Sequence, residues 1–227
     1  MSDQTAWPAL VFFLACLALL ALAWYLTRAR ETKRLERLAS WAEGLGYAIE
    51  AGSRPLNEAG LESGLTRLPI FRHGGGHKVL NLVRGAGPDG TELLFDHRFT
   101  IPAAKRSTTV DQTIAAFEVR AANLPAFELM PEGFLARIVQ ALGRPDIDFD
   151  SNPEFSRAYQ LRGPDADAVR RLFERQAVSY MATTTGWSIQ ACGSWIVVFH
   201  LHRRHKPDDM TEFLEQARML VKTIVWR

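Results

Sequence analysis

Cysteine is scarce in this chain: there are two, Cys16 inside a long apolar run and Cys192 near the other end. Thiols so separated build no disulfide framework, which suits a reducing compartment. An excess of one charge is missing too. The 27 basic and 25 acidic residues leave a formal net charge of +2, too little for the broad basic face of a nucleic-acid-binding domain. Catalytic signatures are likewise lacking. The chain has neither Gly-x-Ser-x-Gly nor His-Glu-x-x-His, and no Gly-x-Gly-x-x-Gly run leads from a strand into a helix.

What the chain does have is AWPALVFFLACLALLALAWYL, Ala6 to Leu26, with no charged residue between Asp3 and Arg28. As a helix rising about 1.5 Å per residue it reaches about 30 Å, the thickness of a bilayer's hydrocarbon core. Trp7 at one end and Trp24 with Tyr25 at the other place amphipathic rings at headgroup depth. Pro8 falls in the first turn, where its missing N–H costs no bond. The leader MSDQT is acidic and the apolar run is long, which argues for an uncleaved anchor over a signal peptide. Arg28, Arg30, Lys33, Arg34 and Arg37 follow the run and no basic residue precedes it. The positive-inside rule then keeps the C-terminal side cytoplasmic and sends the N-terminus out.

The expected organisation is a short tail over 1–5, a transmembrane helix over 6–26, a juxtamembrane amphipathic helix over 27–46 and an α+β soluble domain over 47–227. The juxtamembrane stripe is Leu35, Leu38, Ala42 and Leu45, too short for the three or four heptads a coiled coil between copies requires. With 47% hydrophobic and 23% charged residues, the remainder has the composition of a folded core.

Within the domain, His73-Gly74-Gly75-Gly76-His77 reads as a flexible loop. An antiparallel meander follows: Val79 to Gly85, a turn at Gly87-Pro88-Asp89-Gly90, Thr91 to Ile101, then a third strand through Phe117 and Val119. Alternation puts Leu93, Phe95, His97, Phe99 and Ile101 on the core side, so His97 is expected as a hydrogen-bonded core residue. Phe127 to Met130 reads as a strand. Pro131 then opens a helix burying Phe134, Leu135, Ile138, Val139 and Leu142, closed by Gly143. A strand from Phe155 to Arg162 precedes a helix that starts after Gly163-Pro164-Asp165 and turns Val169, Leu172 and Phe173 inward. Trp187 to Ala191 and Ser194 to His202 form a hairpin about Cys192-Gly193. The last helix begins near Pro207 and is expected to bury Met210, Phe213, Leu214, Ala217, Leu220, Val221, Ile224 and, at its end, Val225.

Three groups of residues invite chemistry. Asp146, Asp148, Asp150 and Asn152 alternate like the start of a calcium loop, but Ser151 and Arg157 stand where that loop needs Gly and Glu. The acids are expected to face solvent or to cap a neighbouring element. His200 and His202 share a strand face with His205 just beyond, yet a zinc site needs three or four ligands and no further motif supplies them; a basic strand end running out to solvent is expected. Cys192 and His200 lie too far apart along one hairpin to act as a nucleophile and base. No catalytic, cofactor-binding or metal residue is assigned.

LPAFELMPE, DIDFDSNPEFSRAYQLRG and VRRLF in this order, preceded by FDHRFT, resemble a family of uncharacterised bacterial single-pass membrane-anchored proteins, over roughly Leu35 to Val225. The resemblance implies a bacterial domain anchored in the inner membrane and carries over no activity. The functional expectation is a non-enzymatic binding or interaction domain held at the cytoplasmic membrane surface, with a protein partner or lipid headgroups as ligand and no nucleic acid. The alternative is a membrane-tethered enzyme whose site is assembled from His97, His200, His202 and the 146–154 acids.

Overall fold

Helix α1 runs without a break from Ala6 to Gly44 in the computed structural model, which describes residues 6–103, 106–132, 147–149 and 152–225. Its first part is one candidate membrane span, with mean hydropathy 2.5 over the best window. Apolar side chains there face outward all round, as in Phe12 at 72% and Leu20 at 67% exposure. Thr27 and Thr32 do not break the helix, because each hydroxyl donates to the carbonyl four residues back. Of the stripe beyond, Leu38 and Ala42 are buried while Leu45, past the helix end, is exposed. The end is a left-handed cap: Gly46 has φ +71°, and the amides of Gly46 and Tyr47 donate to the carbonyls of Glu43 and Ala42.

The chain divides into two compact units, Met1–Trp41 and Ala42–Arg227. The second unit is α+β. Its strands are β1 (Ala48–Pro55), β2 (Gly75–Ala86), β3 (Thr91–Ile101), β4 (Thr108–Glu118), β5 (Leu124–Pro131), β6 (Tyr159–Arg162), β7 (Trp187–Gly193) and β8 (Trp195–His200). They form one eight-stranded sheet in the order β1-β2-β3-β4-β8-β7-β5-β6, every neighbouring pair antiparallel. The helices are the single turn α2 (Ser63–Thr66), then α3 (Pro153–Ala158), α4 (Ala166–Leu172), α5 (Arg175–Thr183) and α6 (Met210–Ile224).

The meander and the Trp187 hairpin are joined where β4 meets β8, from Ile114 against Phe199 to Glu118 against Trp195. The hairpin turn Gly85–Gly90 has the glycine spacing of a dinucleotide loop but runs from strand to strand, which leaves no helix N-terminus for a phosphate. Alternation along the paired strands fixes two faces. On one, Phe95, Ile114, Val197, Phe199 and Trp195 form a core with Leu65, Leu68, Ile70 and Phe71 from the segment before β2. On the other, Phe127 meets Phe173, and Trp187 stacks on Phe213 of α6. Seven of the apolar residues expected on the inner side of α6 are buried, whereas Val225 follows the helix as its C-cap and is half-buried.

Several local readings change. Gly75 to His77 belong to β2 and not to a loop, because Gly74 lets the chain enter the strand close to β3. A Cβ on Gly74, whose φ is +79°, would collide with the Thr100 carbonyl. Phe155 lies in α3 and not in a strand: Pro153 takes the first turn and the Asn152 side chain accepts from the Phe155 amide at 3.1 Å. Helix α5, absent from the expected β-α-β-β-α order, buries Ala177, Val178 and Met181. Strand β8 ends at His200, so His202 leaves the strand face and adopts φ +55°. The helix expected to open at Pro131 does not start there, because Pro131 ends β5 paired with Tyr159; the rest of it, 133–143, lies outside the described residues, as do Asp146, Asp150 and Ser151.

Candidate functional site

The sheet separates the histidines the sequence singled out. His97 lies opposite Gln112 on β4, on the same face as Phe95 and Phe99. His200 lies opposite Trp187 on β7, on the other face. No single site therefore gathers them. Each instead pairs with a histidine outside its own strand: His77 Nδ1 sits 3.0 Å from His97 Nε2, and His200 Nδ1 sits 3.0 Å from His205 Nε2.

Both pairs are enclosed by aromatic rings. His97 is fully buried and stacks against His77 and Phe99, with Phe71 edge-on. Burial, then the neighbouring His77, pulls its pKa down to about 3, against a smaller opposing pull from Asp111. His200 is packed 3.8 Å from the Trp187 ring centroid, and His205 stacks on Phe213 at 4.3 Å. Burial, then His205 and Arg203, lowers the His200 pKa to about 4. His205 itself is buried, so the expected solvent-bound HRRHK end is corrected: the segment turns back onto the sheet.

Among the described residues, no group of three His, Cys, Asp or Glu side chains could hold a metal ion. Asp148 is exposed and Asn152 serves as the cap of α3. Cys192 is a free thiol, half-buried against the core around Trp195.

The outer side of α6 presents a different surface. A groove of about 630 Å³ is lined by Pro88 from the β2–β3 turn and by Glu215, Arg218, Met219 and Lys222. Met219 is 48% exposed, an apolar side chain between two cations one turn apart. The wall is braced from beneath. Arg218 donates to buried Glu92 through Nε at 3.1 Å and Nη2 at 2.6 Å, and its Nη2 also reaches the Tyr47 hydroxyl at 2.6 Å. Tyr47 in turn donates to Glu92 Oε2 at 2.6 Å. Burial and then the Glu92 carboxylate push the Tyr47 pKa up to about 12. Gly85 makes room for this brace, since a Cβ there would lie inside the Tyr47 ring. Sequence reading missed this constellation because its members stand at positions 47, 92 and 218 and obey no local spacing.

No protein-family model matches the chain, and no curated protein matches it in sequence. Among solved structures it is similar to the crystal structure of the mycobacterial trehalose monomycolate transport factor A, TtfA. The likeness has a TM-score of 0.58 and covers 84% of this chain and 95% of that one, at 16% sequence identity. At that identity, what the two chains share is the fold.

Proposed function

We propose that this protein is a membrane-anchored, non-enzymatic accessory factor of a bacterial inner membrane, whose cytoplasmic α+β domain docks a protein partner or lipid headgroups at the membrane surface. The observation that carries the reading is the fold it shares with TtfA, a protein described as a mycobacterial trehalose monomycolate transport factor, over nearly the whole of that chain. The apolar run over 6–26 supports an anchor, and the basic residues from Arg28 to Arg37 support the cytoplasmic side. The α6 groove supports docking, because it offers accessible apolar surface beside cations while His97 and His205 lie buried. Tethering raises the local concentration of any membrane partner without adding a contact.

The test is cross-linking in native membranes from a photoreactive residue at Met219. A discrete adduct is expected, lost when residues 1–27 are deleted although the domain keeps its circular dichroism spectrum. If the untethered domain keeps full function, and one alanine change at His97, His200 or His202 abolishes it without unfolding, the enzyme reading replaces this one.

A further inference from the structure

Leu201 to Lys206, between β8 and α6, is a strap fastened to both faces of the sheet. On the His97 face, the His202 amide donates to Gln112 Oε1 at 3.2 Å. On the other face, the His205 amide donates to Thr113 Oγ1 at 2.9 Å, and that hydroxyl donates to Asp96 Oδ1 at 2.8 Å. Arg204 Nε donates to Asp96 Oδ2 at 2.9 Å, and the Thr113 amide donates to the Arg203 carbonyl at 3.0 Å. The two ends of the strap are drawn together by the His200–His205 contact.

That contact depends on protonation. With both rings neutral, one nitrogen donates and the other accepts. One added proton puts a cation in a slot walled by Trp187 and Phe213. A second leaves two N–H donors facing each other at 3.0 Å. Of the charges around the pair, Arg203 repels a cation at His200, the Asp96 carboxylate is already held by Arg204 and Thr113, and Asp208 and Asp209 stand in the turn that leads into α6; Trp187 and Phe213 supply uncharged rings.

We propose that the strap is an acid-released latch: protonation of the His200–His205 pair lifts Leu201–Lys206 and the first turns of α6 from the sheet while the sheet stays formed. Release would expose Met210 and Phe213, now buried, as an apolar surface that neutral pH conceals.

The test is amide hydrogen exchange on the full chain in detergent micelles at pH 7.5 and pH 5.0, with the intrinsic pH dependence divided out. Each proton taken up on opening shifts the equilibrium by up to about tenfold per pH unit. With the solvent that reaches His200 allowed for, exchange over 201–213 should rise about tenfold at pH 5.0 while β3 and β4 stay protected. The double variant His200→Asn with His205→Gln keeps a donor and an acceptor but cannot titrate, and its strap should stay protected at both values. Unchanged exchange in the wild type, an equal rise across the sheet, or an acid response that survives in the double variant would each overturn the latch. Should the variant not fold, the wild-type imidazole proton shifts decide: midpoints for His200 and His205 that coincide with strap release support the proposal, and titration without release overturns it.

Discussion

Two long helices among the described residues, the first part of α1 and α6, are rich in apolar residues and use them in opposite ways. In α6 the apolar residues fall on one side, where seven are buried against the sheet, and Glu212, Glu215 and Lys222 take the outer side. In α1 from Trp7 to Leu26 no polar side exists, and apolar side chains are exposed all round. Burial of apolar area drives both, at about 25 cal/mol per Å². The difference teaches which solvent suits each helix: α6 finds its apolar phase in its own domain, whereas the first part of α1 is long and apolar enough to find one in a bilayer.

The largest effect that separates them comes from a buried carboxylate. Val221→Asp in α6, at a fully buried position, should cost about 4 kcal/mol or more and abolish the cooperative melt. Leu20→Asp in the first part of α1 should leave the domain's melt unchanged and cost about 3 kcal/mol of insertion instead, read as loss from the membrane fraction. A melt lost in the second variant would break the comparison.

The outer side of α6 is held by one braced cation, so Arg218→Ala should cost about 2 kcal/mol by leaving the buried Glu92 carboxylate with Tyr47 alone. Denaturant midpoints measure it, and an unchanged midpoint would show that the helix is held by its apolar side only. Acid should weaken the face opposite α6 by a similar amount. The folded His97 pKa of about 3 lies below its unfolded value of 6.5, so the unfolded chain binds the extra proton. Stability is then full above pH 6.5 and falls as the pH drops toward 3. By pH 5 the loss from this group alone is about 2 kcal/mol, measurable by denaturant titration at each pH. Last and smallest, Asn152→Ala removes the cap of α3 and should cost about 1 kcal/mol with no effect on α6.

How much of this was legible in the sequence follows from how local each signal is. The apolar side of α6 and the alternation on β3 are periodic, so every buried position in α6 and the inward turn of His97 could be read directly. Helix α3 carried a local signal as well, Asn152-Pro153-Glu154, but the β-branch-poor run to Arg162 was read as one strand. The Tyr47–Glu92–Arg218 brace and the strap bonds from Gln112 and Thr113 join residues 45 to 171 positions apart. Such contacts exist only once β4 has met β8, and no spacing along the chain announces them. The fate of His205 was hidden for the same reason: in HRRHK it reads as one more surface base, and only the turn at His202 carries it under Phe213.

The central proposal is that the first part of α1 anchors the domain in a membrane with its C-terminal side in the cytoplasm. Paired C-terminal fusions to the full chain test it most directly, one to a fluorescent protein that matures only in the cytoplasm and one to a phosphatase that folds only outside it. The account predicts fluorescence without phosphatase activity, with the intact fusion in the membrane fraction. Phosphatase activity from an uncleaved fusion, or intact fusion recovered in the soluble fraction, would contradict it.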